Sequence, residues 1–187
     1  MKKVYLLLIC LMATLAGSAQ VDPHYGVGAV PVVNNRVTFE KTVSLPAGVS
    51  AQRAYEKVVR WAEQRFVAPT VIKAKTMEND ADAHRLVINA EEYIVFKNRW
   101  FVLDRSRINY WLEVAATDDS FTVKMTRINY WYEEERDGGQ HFNAEDWITD
   151  DQCFNAKGTG FLRTTGKFRT KTIDLFDSFV NALEERM

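Results

Sequence analysis

The chain has 187 residues, 47% of them hydrophobic, and its 24 basic and 25 acidic residues give a net charge of −1. This length suits one domain of ordinary size. The near-neutral charge argues against a general nucleic-acid binder, which usually carries a basic footprint, so no nucleic-acid partner is predicted.

Residues 1–19 are predicted to be a secretory signal peptide. A basic start at residues 2–3 precedes an apolar run at 4–16, which is shorter than the roughly 20 residues that span a bilayer. Small residues then lead to a cleavage site before Gln20. The processed chain keeps one cysteine, Cys153, and so can form no internal disulfide. We expect a soluble protein that is exported to the periplasm, the cell surface or the extracellular space and meets a membrane only through its signal peptide.

The processed chain begins with an irregular lead, residues 20–35, before the first regular elements. Residues 36–45 alternate between apolar and polar side chains, as a half-buried strand does. Ser50 is a plausible N-cap, and apolar residues at helical spacing then extend to about Phe66. This pattern predicts a strand followed by an amphipathic helix.

Two further strands are predicted at residues 70–77 and 85–96, joined by a polar turn. Glu92 interrupts the apolar side of the second strand. We interpret it as the sign of a β-bulge near residues 91–92.

A repeated phrase, Arg-Ile-Asn-Tyr-Trp at 107–111 and again at 127–131, predicts a long hairpin over residues 106–133. With a two-residue loop at Asp118-Asp119, one face of the hairpin is apolar and the other carries a charge pair. The same register sets the arginine of each copy opposite the tyrosine of the other copy. These predicted cross-strand pairs are Arg107 with Tyr130 and Tyr110 with Arg127.

The remaining chain is read as mostly loop, with a short helix after Asn143, a turn around Gly166 and an amphipathic helix at 172–186. The order is then strand, helix, four strands, helix (β-α-β4-α). It predicts a single α+β domain over residues 36–187, with a core at 36–134 and a C-terminal loop and helix region at 135–187. The sheet is expected to be mostly antiparallel and curved, with the helices on one face.

Several segments resemble a known family. They are GAVPVV at 28–33, VTF at 37–39, EYIVF at 92–96, DRSRINY at 104–110, YEEER at 132–136, AEDWITD at 144–150 and GKFRTKTID at 166–174. With these segments the chain resembles the secreted bacterial proteins, common in Bacteroidetes, that carry the domain of unknown function 4468. The resemblance implies a TATA-binding-protein-like (TBP-like) fold. It implies no activity and transfers no catalytic residue, because fold alone does not carry function.

Candidate catalytic and metal residues are few. Cys153 with His141 is the one possible thiol–imidazole pair, but no motif surrounds either residue. Acidic residues near His141 match no calcium-loop spacing, so neither a metal nor a cofactor is predicted. The basic residues at 163–171 could face an anionic partner, but we favour their pairing with the acidic loop at 133–137.

The aromatic residues on or near the hairpin form the most distinctive set. The candidate binding residues are Arg107, Trp111, Tyr130, Trp131 and Trp100. An exposed surface of aromatic rings with arginine suits a glycan or a protein partner. The competing interpretation is that other segments cover these rings, which would then belong to the core.

We therefore expect an exported, non-catalytic binding domain whose partner is a protein or a glycan. The alternative is a carrier that holds a small apolar ligand between the curved sheet and the C-terminal helix, in a cavity of roughly 300 Å3 or more. An enzyme that uses Cys153 and His141 is the least favoured hypothesis.

Overall fold

A computed structural model describes residues 21–100, 102–158 and 160–187; the predicted signal peptide lies outside these residues. The helices are a 3-10 turn Pro23–Tyr25, α1 Ala51–Arg65, α2 Asp150–Cys153 and α3 Arg163–Glu184. The strands are β1 Val32–Val33, β2 Arg36–Val37, β3 Phe39–Ser44, β4 Val71–Asp80, β5 Arg85–Arg99, β6 Val102–Ala116, β7 Ser120–Tyr132 and β8 Gln140–Asn143.

The main sheet has the order β3-β7-β6-β5-β4, and all of its neighbouring strands are antiparallel. Strand β8 also pairs with β7, so β3 and β8 share one edge of β7 end to end. The expected α+β class and mostly antiparallel sheet are confirmed. The predicted first strand is divided at Thr38, because β2 pairs with β1 in a separate two-stranded sheet.

Helices α1 and α3 cover one face of the sheet. The side chain of Ser50 caps α1 as predicted, by accepting a hydrogen bond from the Arg53 amide. The apolar side of α3 supplies Phe176 and Phe179, which contact the rings of Phe39 and Tyr110. The residues of this layer are largely buried, so burial of one face of the sheet and the apolar sides of both helices builds the core.

The core contains a buried ion pair. Glu92 lies on the helix-covered side, where it accepts hydrogen bonds from Arg65 at 2.7 and 2.9 Å and from the Tyr110 hydroxyl. The predicted bulge lies on the partner strand, because Val71 pairs with Glu92 and Lys73 with Glu91. Glu92 interrupts the apolar pattern because it has a charged partner inside the core.

The N-terminal lead is fixed to α3 by a fully buried arginine. Arg169 donates hydrogen bonds to the carbonyl oxygens of Tyr25, Gly26 and Ile148, and it pairs with Asp150 at 2.8 Å. Arg169 therefore joins three distant segments of the chain.

The β6–β7 hairpin follows the predicted register near its turn, from Ala116–Phe121 to Trp111–Thr126. Beyond that pair the register shifts by one residue, so that Asn109 faces Asn129 and Arg107 faces Trp131. Arg127 is the extra residue in β7, with a φ of 53°. The predicted arginine–tyrosine pairs are therefore wrong, because a β-bulge turns the second half of β7 relative to β6.

Candidate binding face

The sheet face opposite the helices carries polar and aromatic side chains from both copies of the repeated phrase. We call their shared surface the open-face patch, and it consists of Arg107, Asn109, Trp111, Arg127, Asn129 and Trp131. Alternation along β6 and β7 sends these side chains away from the core, while the intervening Ile108, Tyr110, Ile128 and Tyr130 are buried. The bulge at Arg127 places the arginine, asparagine and tryptophan of the second copy on the same face as those of the first copy.

Each arginine of the patch lies over the tryptophan of the other copy. The Arg107 guanidinium carbon is 4.5 Å from the centre of the Trp131 ring, and that of Arg127 is 4.1 Å from the centre of the Trp111 ring. His141 of β8 stacks on Trp131, with ring centres 5.1 Å apart and planes 23° apart. These cation–π contacts fix two half-buried rings on the face.

A row of asparagines crosses the face between the two arginine–tryptophan pairs. Asn109 of β6 faces Asn129 of β7, which faces Asn143 of β8. Asn89 of β5 extends the row by donating to the Asn109 side-chain oxygen at 3.2 Å. Carboxamides both donate and accept hydrogen bonds, so the row can bind hydrogen-bond donors and hydrogen-bond acceptors of a ligand.

The acidic loop at 133–137 and the two glycines after it fold back over one end of the patch. Glu134 accepts a hydrogen bond from the Tyr93 hydroxyl at 2.8 Å and forms an ion pair with Arg107. Burial alone would raise the pKa of Glu134, but hydrogen bonds from Tyr93 and Arg107 hold it below its ordinary value. The Trp131 indole donates to the Gly138 carbonyl oxygen at 2.9 Å, so the loop is fixed at two points.

Two clefts meet at Asn129. A cleft of about 170 Å3 lies among Glu91, Arg107, Asn109, Trp131 and His141, with Asn129 at its border. A larger cleft of about 810 Å3 continues from Asn129 to the β1–β2 turn and the residues after β8. Its polar lining residues include Asn34, Asn35, Arg36, Arg127, Asn143, Glu145 and Asp146. Together the clefts form what we call the open-face groove.

A third cleft of about 540 Å3 borders the acidic loop, with Lys97, Arg105 and Arg163 in its lining. The basic stretch at 163–171 does not pair with the acidic loop as predicted. Lys167 pairs with Asp104 and Lys171 with Asp174, while Arg169 is buried. Arg105 and Arg107 contact the acidic loop instead.

The structure brings three of the predicted binding residues together, namely Arg107, Trp111 and Trp131. Trp100 is 87% exposed and lies at the β5–β6 turn, outside the patch. Tyr130 was expected beside Arg107 and Trp111, and that placement is wrong. It is 1% exposed on the helix-covered side, where its hydroxyl lies 2.7 Å from that of Thr172, because the bulge at Arg127 reverses its side.

The candidate thiol and imidazole lie on opposite sides of the sheet. Cys153 is buried on the helix side, and its thiol donates to the Trp147 carbonyl oxygen at 3.4 Å. Burial raises the pKa of this thiol, which opposes thiolate chemistry. His141 stacks on Trp131 at the open face. The acidic residues that follow His141 in the sequence have separate partners. Glu145 accepts a hydrogen bond from the Val37 amide, and Asp150 forms an ion pair with Arg169.

The layer between the sheet and α3 is filled by large side chains. Phe168, Phe176, Phe179 and Val180 are each at most 6% exposed there. A cleft of about 270 Å3 lies elsewhere, between α1 and strands β4 and β5. Among the described residues, these large buried side chains fill the space beneath α3, which disfavours the carrier hypothesis.

Reasoning from the sequence missed most of the groove. Asn34 and Asn35, which form the β1–β2 turn with φ angles of 51° and 61°, lay in the lead that was predicted to be irregular. No sequence pattern indicated that Asn129, Asn143 and Asp146 lie together. They converge only because β7 contains a bulge and β8 pairs with β7. The repeat itself was the useful signal, since both copies contribute an asparagine to the row.

Comparison with known proteins places the chain among domains of unknown function. The family model described as "Domain of unknown function (DUF4468) with TBP-like fold" matches residues 39–131. A crystal structure of a DUF4468 family protein from Bacteroides ovatus is 30% identical, with a TM-score of 0.76, and the match covers 85% of this chain and 90% of that one.

A second solved structure, a TBP-like protein from Parabacteroides distasonis, is 14% identical, with a TM-score of 0.68. It covers 84% of this chain and 96% of that one, and it supports the TBP-like fold alone. No curated protein matched the chain. Of the helices in the described parts of the chain, none has the length and apolar character to cross a membrane.

Proposed function

The chain belongs to the DUF4468 family, defined by a domain of unknown function with a TBP-like fold, and from this premise we propose that it is an exported, non-catalytic binding domain. Its binding surface is the open-face patch. The observation that carries the proposal is the reciprocal pairing of the two copies. Arg107 lies over Trp131 and Arg127 over Trp111, with Asn109 and Asn129 between them.

This arrangement suits binding better than catalysis. The face presents fixed rings, guanidinium groups and carboxamides, which recognise a partner through stacking and hydrogen bonds. A catalytic site needs a nucleophile or a general base at hydrogen-bond distance from its helper group. The thiol of Cys153 and the imidazole of His141 are separated by the sheet.

Nuclear magnetic resonance of the 15N-labelled processed chain tests the surface directly. Cell-envelope extract from the producing organism, separated into protein and glycan fractions, would be added in turn. We expect shifts in the indole signals of Trp111 and Trp131 and in the side-chain amide signals of Asn109 and Asn129. Shifts confined to the cleft between α1 and β4 would contradict the proposed surface.

A matched pair of variants separates binding from general charge effects. Arg127→Gln removes a guanidinium from the patch, whereas Arg60→Gln removes one from the exposed side of α1. We expect the first variant to lose the extract-induced shifts and the second to keep them. Equal loss in both variants would indicate a non-specific electrostatic attraction.

The export part of the proposal rests on the sequence pattern of residues 1–19. We expect the intact mass of the protein from its native cell to correspond to a chain that begins at Gln20. Recovery of the full 187-residue chain from the cytoplasm would contradict export.

A further inference from the structure

The ligand of the open-face patch follows from the chemistry of the groove that runs through it. Resting on the proposed function, we propose that this groove binds a neutral oligosaccharide. The two clefts of about 810 and 170 Å3 meet at Asn129, so they can hold one extended ligand. The larger volume falls within the usual range of about 300–1,000 Å3 for ligand sites.

Carboxamides dominate the groove. Asn34, Asn35, Asn109, Asn129 and Asn143 line it, and each amide has two donor hydrogens and one acceptor oxygen. A sugar hydroxyl both donates and accepts, so it can bond to either end of an amide. These amides are weakly engaged within the described chain. Asn129 donates to the Arg127 carbonyl oxygen at 3.3 Å and Asn143 to Asp146 at 3.4 Å.

The charges of the groove favour a neutral ligand. In the larger cleft, the guanidinium groups of Arg36 and Arg127 are balanced by the carboxylates of Glu145 and Asp146. In the smaller cleft, Arg107 already pairs with Glu91 at 3.3 Å and also with Glu134. A ligand with a strong charge of either sign would therefore meet like charges along the groove.

The apolar groups of the groove favour a sugar over a protein partner. Protein interfaces obtain most of their binding energy from aromatic anchors that enter deep pockets. Here Trp131, the tryptophan that lines the groove, is held in the face with the guanidinium of Arg107 over its ring. Ile128, the aliphatic residue in the lining of the larger cleft, is only 1% exposed and offers no apolar anchor.

Titration with four neutral oligosaccharides tests the ligand class: maltohexaose, cellohexaose, mannohexaose and xylohexaose. We expect at least one of them, at millimolar concentration, to shift the amide signals of Asn109, Asn129 and Asn143. Binding by none of the four would overturn the assignment. Tighter binding of the anionic hexagalacturonate would also overturn it, because the groove would then select charge.

A double variant at the β1–β2 turn shows whether the larger cleft contributes. Asn34 and Asn35 both have positive φ angles, so Asn34→Gly with Asn35→Gly preserves the turn and removes two carboxamides. We expect sugar binding to weaken about tenfold, which corresponds to a loss of about 1.4 kcal/mol from the two missing carboxamides. His84→Gly, at another positive-φ position outside the groove, is the matched control and should leave binding unchanged. Unchanged binding in the double variant would show that the larger cleft is not part of the sugar-binding site.

The two proposals can fail separately. If the sugars do not shift the resonance signals of the patch but a protein fraction of the envelope does, the sugar assignment fails and the proposed binding face stands. If neither sugars nor extract move the patch signals, both proposals fail.

Discussion

On the helix-covered face, Arg65 and Glu92 form an ion pair with side chains that are 21% and 4% exposed. On the open face, the side chains of Arg107 and Glu134 are 25% and 16% exposed, so the two pairs differ mainly in the burial of the carboxylate. The covered pair joins α1 to strand β5 and supports the packing of the helix against the sheet. The open pair lies beside clefts and ties a loop to the face. The same chemistry thus serves structure on one side of the sheet, while on the other it shapes a surface that a ligand can reach.

The largest expected effect comes from breaking the covered pair. Arg65→Ala leaves the Glu92 carboxylate, which is 4% exposed, in the core without its cation, and breaking a buried pair in this way costs about 3–5 kcal/mol. Glu113→Ala is the open-face control, because the Arg85–Glu113 pair is about one-third exposed on each side and should contribute less than about 1 kcal/mol. Urea unfolding measures both losses. Equal losses in the free energy of unfolding would contradict the inference that the ion pair on the covered face stabilises the fold more than the one on the open face.

A second large effect is expected at Arg169. Arg169→Lys replaces a planar group that reaches Tyr25, Gly26 and Ile148 with a single ammonium. We expect a loss of about 2 kcal/mol in the free energy of unfolding. Limited proteolysis should also cut the lead around residues 21–28 more readily. Arg163→Lys, at the exposed start of α3, is the control, and a similar loss there would argue against the buried linkage.

On the open face, acid should release the loop that carries Glu134. The pKa of Glu134 is depressed in the folded protein, so its stabilising contribution is present above the ordinary glutamate pKa of about 4.3 and is lost as pH falls through the lower folded value. We expect the fluorescence of Trp131 to change in that acidic window. Glu134→Gln should remove the transition, whereas Glu135→Gln, with a side chain that is 88% exposed, should retain it. A transition that survives Glu134→Gln would place its origin in another group.

The smallest effect is expected at the bulge. Arg127→Gly relieves the strain of the positive φ of 53°, which stabilises the fold, but it loses the contact with Trp111, which destabilises it. Each effect contributes about 0.5–1 kcal/mol to the free energy of unfolding, with opposite signs. We therefore expect a net change within about 0.5 kcal/mol in urea unfolding. Arg127→Ala loses the same contact without relieving the positive φ, and it should cost more. The reverse order would show that the bulge is not strained.

Local patterns in the sequence predicted the covered face well. Ser50 and the apolar spacing after it identified α1, and alternation fixed the hairpin register near its turn. These features depend on near neighbours along the chain and on one buried face, so periodicity reveals them. The pairing of Glu92 with Arg65 could not be predicted in the same way, because it joins residues 27 positions apart.

The open face was predicted less well because it depends on the bulge. Arginine is not a typical bulge residue in the left-handed region, so nothing in the sequence indicated the shift that moved Tyr130 into the core. The start of α3 was missed because Gly166 looked like a turn. The glycine is needed inside the helix, since a Cβ there would lie 2.6 Å from that of Phe161. Close packing, which sequence alone does not display, explains this error.

The linkage made by Arg169 also sets an order of events during biosynthesis. Its hydrogen bond to Tyr25 joins residues 144 positions apart. At about 5–20 residues per second, on the order of ten seconds separate the synthesis of the lead from that of α3. We expect this docking to follow the folding transition state, so that Arg169→Lys mainly accelerates unfolding in stopped-flow experiments and leaves the refolding rate nearly unchanged. The first residues of the domain to be synthesised would then be among the last to reach their native positions.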